Sequence, residues 1–332
     1  MNENKRNFSL LLAFGIWILI IGCGKASGNN QDNNDEKDET TYDFPHTMAV
    51  SVPNPVIPES MELWDEEISF DRYDMYERLD RELTANAYTH GSTLLNIKRA
   101  NRYFPVIAPI LLKNGIPLDM LYLAVIESNL DERALSPAKA AGIWQFMPAT
   151  ARQYGLEVNE SIDERYNLEK ATEAACRYFK DAYAKYGNWN SVAASYNAGM
   201  GKISNEMAIQ KTDDVFDLYL ITETNRYVFR IMALKLIMEN PKEFGFSLQA
   251  DQLYAPMEYD IIEVKNPIDD LVSWAKKHGV TYMHLREANP WLRSLSLPTK
   301  TGKTYVIKIP KTESLYRSKQ EKSIYNPSWI AN

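Results

Sequence analysis

The sequence has few of the residues on which metal and thiol chemistry depend. Only two cysteines, Cys23 and Cys176, and four histidines occur in 332 residues. The histidines are scattered and lack the paired spacing of metal ligands. The chain also lacks a glycine-rich phosphate loop and a G-x-S-x-G nucleophile motif. We therefore expect no metal site and no cofactor.

An excess of basic residues is also missing. The chain carries 37 Lys and Arg against 44 Asp and Glu, which gives a formal net charge of -7. Nucleic-acid-binding domains favour basic patches, so this balance argues against a nucleic-acid partner. The hydrophobic fraction of 45% is that of an ordinary globular protein, and 332 residues suffice for one large domain and a smaller module.

The first 22 residues form a predicted signal segment. Lys5 and Arg6 supply its positive end, and the apolar run that follows is too short for a comfortable membrane span. The run closes on Gly22-Cys23, which resembles the bacterial lipobox. This resemblance implies cleavage before Cys23 and lipidation of that cysteine. An uncleaved anchor and an ordinary signal peptide are the alternatives.

Two further segments follow the signal segment, a predicted tether and a predicted helical domain. Residues 23–60 are rich in Asn, Asp, Glu and Pro, and we predict a disordered acidic tether there. Over residues 61–245 apolar residues recur at helical spacing, as in Met75, Leu79 and Leu83. Because no segment between 61 and 240 alternates with period two, an all-α domain is predicted. Cys176 is interpreted as a buried small hydrophobe within it.

The pattern changes again after residue 241. Residues 259–264 and 304–309 have the composition of strands, and two short helical segments lie between them. A small βααβ module is therefore predicted at 257–311. The remaining residues, 312–332, are polar and are expected to form a loose tail. The predicted fold class is mainly α, with an all-α domain followed by this module.

One glutamate occupies an unusual position in the most apolar helix. Residues 118–126 are almost continuously apolar, which is typical of a helix buried on most faces, and Glu127 lies near its C-terminal end. Burial and the negative end of the helix dipole both disfavour the charged carboxylate and raise its pKa. A carboxyl group that holds a proton at neutral pH is suited to general-acid catalysis. The alternative is a solvated glutamate with no role.

Three later segments add hydroxyls, amides and aromatic rings. Such groups together suit a neutral, hydroxylated ligand, although each taken alone is better explained by core packing or a helix cap. The candidate ligand-binding residues in these segments are Ser128 and Ser136, then Gln145, Phe146 and Met147, and finally Tyr196 and Asn197.

The same segments resemble a known family. The blocks ESN, AGIWQFMPATA and SYNAGMG, in this order, are similar to the catalytic domain of family 1 lytic transglycosylases, goose-lysozyme-like enzymes that cut peptidoglycan. Residues 103–117 and 223–228 look most like the membrane-bound murein transglycosylase D branch. The resemblance covers roughly residues 90–240 and implies a lysozyme-like fold. Residues 257–311 resemble a LysM module, but Asn266-Pro267-Ile268-Asp269 replaces its usual Gly-Asp-Thr/Ser start.

The resemblance also implies roles for individual residues. Glu127 would be the sole acid/base that cleaves the β-1,4 bond between N-acetylmuramic acid and N-acetylglucosamine and leaves 1,6-anhydro ends. Glu223 joins the predicted substrate-binding residues, Phe146 and Met147 would pack against sugar rings, and Tyr196 would bond near the catalytic carboxyl. The implied partners are glycan strands and, through Cys23, a lipid membrane. The implied location is the cell envelope, at the outer membrane facing the periplasm.

The number of carboxylates bears on the mechanism. Ordinary glycosidases use two carboxylates, whereas only Glu127 has a buried context here. Asp131 and Glu132 follow in a polar run that we expect to be exposed. A single carboxyl fits a nucleophile supplied by the substrate itself. Two alternatives stay open: a hydrolytic goose-type muramidase that uses Glu223, and a non-catalytic protein that binds the cell wall.

Overall fold

The structure is a computed structural model that describes residues 54–331. The predicted signal segment, Cys23 and most of the predicted tether lie outside the described residues. Within the described range the protein is mainly helical, as predicted, with two separate two-stranded sheets. In chain order the elements are β1 (Ser60–Leu63), β2 (Glu66–Ser69), α1 (Tyr73–Tyr88), α2 (His90–Lys113), α3 (Met120–Ser128), α4 (Pro148–Gln153), α5 (Leu168–Tyr186), α6 (Trp189–Ala198), α7 (Met200–Gln210), α8 (Thr222–Glu239), β3 (Tyr259–Val264), α9 (Leu271–Lys277), α10 (Tyr282–Ala288) and β4 (Tyr305–Pro310).

The start of the helical domain differs from the prediction of an all-α segment. β1 and β2 form an antiparallel hairpin in which Met61 pairs with Ile68. Trp64 and Asp65 make the turn with φ values of 59° and 62°, the left-handed geometry that matches the twist of a two-residue hairpin. Each strand has only four residues, so its alternation of buried and exposed positions is too short to stand out in the sequence.

α3 lies in the middle of the helical domain, and its start is held from two sides. Asp119 precedes the helix, and its carboxylate accepts a hydrogen bond of 2.6 Å from the backbone N–H of Trp64. The other carboxylate oxygen lies 2.6 Å from Nζ of Lys235 on α8. The hairpin and α8 are thus both fastened to the beginning of α3.

α7 was not predicted from the sequence. Among its residues only Ile203 is buried, so the helical period of apolar residues is weak there. Cys176 on α5, in contrast, is buried and unpaired, which confirms its interpretation as part of the core.

The C-terminal module has the predicted βααβ order. β3 and β4 pair antiparallel over all six residues, from Tyr259 with Pro310 to Val264 with Tyr305. Asp270 caps α9 by accepting hydrogen bonds from the backbone N–H groups of residues 272 and 273. Asp270 therefore provides the N-cap of α9, although residues 266–269 lack the usual Gly-Asp-Thr/Ser sequence before this helix.

The module is packed against the helical domain through a shared apolar core and several ion pairs. Ala141, Ile162 and Tyr166 of the helical domain belong to the same buried cluster as the core of the module. Glu157 lies 2.8 Å from Lys300 and 2.5 Å from Lys303. The shared apolar core and the ion pairs therefore both hold the module against the helical domain.

The last residues are packed, in contrast to the predicted loose tail. The side chain of Trp329 is only 2% exposed, and its indole N–H donates a hydrogen bond of 2.6 Å to the carbonyl of Met238 on α8. Its ring packs edge-on against Phe104 of α2. Asn101 of α2 accepts a hydrogen bond from the backbone of Tyr325. The polar composition of residues 312–332 gave no sign of this packing, because much of the apolar contact comes from the single indole of Trp329.

No helix between residues 54 and 331 combines the length and the apolar character required to cross a bilayer.

Replacement of Trp329 should unfold the helical domain more easily. We expect Trp329→Ala to lower the free energy of unfolding by about 3–5 kcal/mol, because it leaves a cavity and an unpaired carbonyl in the core. Chemical denaturation followed by circular dichroism measures this change. Tyr316→Ala removes an exposed ring from the same segment and should cost less than about 0.5 kcal/mol. Equal losses in the two variants would contradict the packed position of Trp329.

Candidate active site

The candidate site begins at the end of α3. Glu127 is the penultimate residue of this helix, seven of whose nine residues are buried. The helix stops at Asn129, which adopts the left-handed conformation with φ of 52° and thereby turns the chain away. The side chain of Glu127 is itself half-buried. A rigid apolar helix therefore holds one carboxyl group at the margin of the core.

Burial gives this carboxyl group an unusual acidity. It raises the pKa of Glu127 to about 7, and the charge of Glu223 acts in the same direction. Two groups oppose the rise: the phenol of Tyr227, which donates a short hydrogen bond to the Glu127 carboxylate, and the guanidinium of Arg230. Near neutral pH the carboxyl group can thus both give and take a proton, which is what an acid/base catalyst must do.

α8 supplies the groups that surround Glu127. Glu223, Tyr227 and Arg230 are separated by four and three residues, so they lie on one face of this helix. The side chain of Glu223 is 62% exposed and lies 3.3 Å from Arg230. Tyr227 is buried, and burial followed by the Glu127 charge raises the pKa of its phenol, which stays protonated.

α8 is held in place by an ion pair whose carboxylate is buried. Glu82 on α1 is almost fully buried, and its two oxygens accept hydrogen bonds of 2.7 and 3.0 Å from Nε and Nη2 of Arg226. Two parallel bonds of this kind fix the orientation of a guanidinium as well as its position. Because Arg226 is adjacent to Tyr227, the pair also fixes the part of α8 that faces Glu127.

The loop of residues 134–147 is shaped by close backbone packing. Gly142 has φ of 76°, and a Cβ atom at this position would lie 2.0 Å from the carbonyl oxygen of Arg165. Arg165 is buried with Asp163, and its guanidinium donates to the carbonyls of Lys139 and Phe146 at 2.7 and 3.0 Å. Only glycine fits at 142, and the buried arginine connects the middle of the loop with its C-terminal end.

Gln145 and Ser136 lie within this loop. The Gln145 amide donates hydrogen bonds to the carbonyls of Gly142 at 2.7 Å and Ala134 at 3.3 Å. The hydroxyl of Ser136 accepts one from the backbone N–H of Ala140 at 2.9 Å. Both side chains are half-buried. Met147 follows at the loop's end with 44% of its surface exposed.

Tyr196 and Asn197 come from the end of α6. The phenol of Tyr196 donates to the carbonyl of Trp144 at 2.7 Å, and its ring packs against Phe146 and Tyr178. The Glu127 charge contributes to raising the pKa of Tyr196, so the two groups are near each other. Asn197 accepts a hydrogen bond of 2.9 Å from Thr224 on α8. α6 thus connects the loop with α8.

Three predictions from the sequence are wrong. Phe146 is 3% exposed, so it supports Tyr196 from within the core and cannot pack against a sugar ring. The hydroxyl of Ser128 is buried and bonds back to the carbonyl of Ala124 within α3, which leaves it unable to contact a ligand. Glu132 is half-buried and not exposed as expected from its polar neighbours.

Tyr196 is predicted to bond near the carboxyl group of Glu127, and its phenol donates to the carbonyl of Trp144. The phenol that bonds to Glu127 itself belongs to Tyr227, which was not singled out from the sequence. Tyr227 lies in the block of residues 223–228 that carries the resemblance, one helical turn after Glu223, and this spacing could have identified it. The partnership of Glu82 with Arg226 spans 144 positions and has no local signal.

Among residues 54–331, no group of three or more His, Cys, Asp or Glu side chains is placed to hold a metal ion.

Two segments of the chain match known protein families. Residues 105–217 match the family described as "Transglycosylase SLT domain", and residues 260–313 match "Soluble lytic transglycosylase C-terminal LysM-like domain". The chain therefore carries a transglycosylase SLT domain. The SLT domain includes Glu127 and the loop around Gly142, and its matched residues end before α8.

Two of the similar proteins are named as transglycosylases. Membrane-bound lytic murein transglycosylase D of Escherichia coli K12 is 30% identical over 240 residues, which are 71% of this chain and 51% of that protein. Peptidoglycan transglycosylase gp16 of Escherichia phage T7 is 35% identical over 95 residues, 28% of this chain and 7% of that protein. The chain thus spans about half the length of the Escherichia coli relative.

A solved structure was also compared. The 70 kDa soluble lytic transglycosylase of Escherichia coli aligns with 41% of this chain and 24% of its own, at 21% identity and a TM-score of 0.36. The fold described above rests on the elements of this chain and not on that alignment.

Removal of the Tyr227 phenol should change the acidity of Glu127. The hydrogen bond stabilises the carboxylate, so Tyr227→Phe should raise the pKa of Glu127 above its value of about 7. A carbon-13 NMR titration of labelled glutamate carboxyl groups measures the shift. Tyr196→Phe is the matched control, since its phenol bonds to a backbone carbonyl and its loss should move the pKa much less. An unchanged or lowered pKa in Tyr227→Phe would refute this assignment.

Proposed function

We propose that the protein is a lytic transglycosylase that cleaves the β-1,4 bond between N-acetylmuramic acid and N-acetylglucosamine in peptidoglycan. The observation that carries this proposal is Glu127 itself. It is a carboxyl group with a pKa of about 7 at the end of a buried helix, within the residues that match the SLT domain. The name of the Escherichia coli relative, a murein transglycosylase, supports the substrate class.

The reaction needs one residue in two roles. Protonated Glu127 gives its proton to the glycosidic oxygen as the bond from that oxygen to C1 of the muramic acid breaks. The resulting carboxylate then takes the proton from the C6 hydroxyl of the same sugar, and O6 forms the new bond to C1. The product is a 1,6-anhydro end, no water is consumed, and Glu127 is returned in its protonated form. A pKa near 7 suits both steps.

The surroundings of Glu127 support a mechanism with one carboxyl. Two-carboxylate glycosidases place the second group across the bond that is cut. The carboxyl whose charge acts on Glu127 is that of Glu223, and it is exposed and paired with Arg230. We assign it to substrate binding and to raising the pKa of Glu127. Hydrolysis by a water that Glu223 activates is the alternative that the product analysis below tests.

The remaining site residues are proposed to bind the glycan or to hold the residues that do. Met147 offers an exposed apolar surface to a sugar ring, and Gln145 and Asn197 offer half-buried amides. Ser136 and Tyr196 are proposed to shape the loop beside them. We further propose domain boundaries at 61–245 for the helical domain and 257–311 for the LysM-like module.

Replacement of Glu127 by glutamine should separate catalysis from folding. We expect Glu127→Gln to lower the rate of peptidoglycan solubilisation by at least about a hundredfold, the size of a general acid/base contribution. Glu223→Gln keeps the proton carrier and should lose less activity. A Glu127→Gln variant that clears peptidoglycan at the normal rate would overturn the assignment. In the active enzyme, mass spectrometry should find anhydro ends, and reducing muramic ends would favour hydrolysis.

The same variant should be more stable than the natural protein at alkaline pH. The folded state raises the pKa of Glu127 above that of the unfolded chain, so ionisation costs folding free energy as the pH rises between the two values. Glutamine cannot ionise. The variant should therefore exceed the natural protein by about 1–3 kcal/mol near pH 8 and match it near pH 4. Urea unfolding at the two pH values makes the comparison, and an advantage only at the lower pH would contradict it.

We propose that the protein is held at the cell envelope by a lipid on Cys23. The support is the lipobox-like Gly22-Cys23 in the sequence and the description of the Escherichia coli relative as membrane-bound. Cys23→Ala should move the protein from the membrane fraction to the soluble fraction or leave its signal segment uncleaved. Cys176→Ala, which alters a buried cysteine of α5, should leave the distribution unchanged. Cys23→Ala protein that stays in the membrane with its signal segment removed would count against lipidation.

A further inference from the structure

A partly enclosed cavity lies where the helical domain meets the C-terminal module. It has a volume of about 200 Å³ and is bordered by α2, the turn after α3, α10 and the ends of β3 and β4. None of the residues that surround Glu127 lines it. This volume suits a small molecule of a few heavy atoms, and its walls are mostly apolar.

Aromatic rings form much of the wall. Tyr103 comes from α2, Tyr259 from β3, Tyr166 from the segment before α5, and Trp291 from the segment after α10. The faces of such rings carry negative electrostatic potential and attract cations. Both parts of the chain contribute, so the space exists only when the module is docked.

Most charged groups on the wall already have partners. Lys308 is paired with Glu169, and Glu287 is paired with Arg133. Arg102 donates to the carbonyl of residue 255 at 3.0 Å and lies over a neighbouring tyrosine ring. These groups have little remaining capacity to hold a ligand.

Glu132 differs from them. Within residues 54–331 its carboxyl group makes no hydrogen bond and no ion pair, although it is half-buried and lines the cavity. Burial raises the pKa of Glu132 to about 7, against the pull of Arg133, Lys308 and Arg102 and with the help of Glu287.

The charge of Glu132 affects the pKa of two nearby phenols. Burial first and then the Glu132 charge raise the pKa of both Tyr103 and Tyr259. A carboxylate and two phenol oxygens are acceptors, and an ammonium group has three N–H donors. A cation at this point would also compensate a carboxylate that is otherwise desolvated without a partner.

We propose that this cavity binds a small organic cation, an ammonium group on an apolar body, through Glu132, Tyr103 and Tyr259. The ammonium group bonds to the Glu132 carboxylate and lies against the tyrosine rings, and the apolar body fills the remainder of the space. The site is separate from the proposed glycan cleavage and does not depend on it. Because residues of both the helical domain and the module contact the ligand, its binding stabilises their docked arrangement.

The test uses pentylammonium as the probe and the full chain at about pH 8.5, where a carboxyl group with a pKa of about 7 is ionised. Two-dimensional NMR titration gives the affinity. Pentylammonium should bind at least about tenfold more tightly than 1-pentanol, which has the same apolar body without the charge, and pentanoate should bind more weakly still. Glu132→Gln should weaken pentylammonium binding about tenfold and leave 1-pentanol binding unchanged.

Glu287→Gln is the matched control, since it removes the same charge from the same wall at a residue that already has an arginine partner. Its effect on pentylammonium affinity should stay below about threefold. Three outcomes would overturn the proposal: equal affinity for the three probes, unchanged pentylammonium binding in Glu132→Gln, or no binding of pentylammonium at about 50 mM. Circular dichroism of each variant confirms that a lost affinity does not reflect a lost fold.

Discussion

A carboxyl group keeps a proton near neutral pH only where water is largely kept away from it, and the helical domain satisfies this requirement for Glu127. α3 is too apolar to lie anywhere but in the core, so the other helices pack around it and Glu127 arrives at the edge of that core. α8 then closes one side and brings Tyr227 to the carboxyl group. The two hydrogen bonds between Arg226 and the buried carboxylate of Glu82 help to fix the position of α8.

The environment of Glu127 balances opposing effects. Burial alone would raise the pKa of Glu127 further. The hydrogen bond from Tyr227 and the charge of Arg230 both lower the pKa and so limit the rise. A pKa of about 7 is the outcome of these contributions and not of any one residue. Glu132, only five positions after Glu127, also has a pKa raised to about 7. The chain turns between them at Asn129, and the two carboxyl groups face different surroundings.

The sequence was informative where local pattern decides structure. Most of the helices, the two six-residue strands and the apolar helix that carries Glu127 near its end follow from the sequence, because each depends on neighbouring residues. The hairpin at residues 60–69 was too short for its alternation to be seen. Phe146 and Ser128 were misplaced because a motif gives residue type and order but not the direction of a side chain. The phenol that bonds to Glu127 lies 100 positions away, so only its place one helical turn after Glu223 could have indicated it.

The packing of Trp329 has a consequence for the architecture as a whole. The chain leaves the helical domain near residue 256, forms the module, and returns to place an indole against α2 and α8. The LysM-like module is thus joined to the helical domain at both of its ends, and not through a single linker. The two connections, together with the shared apolar core and the ion pairs at the boundary, restrict rotation of the module relative to the domain that carries Glu127.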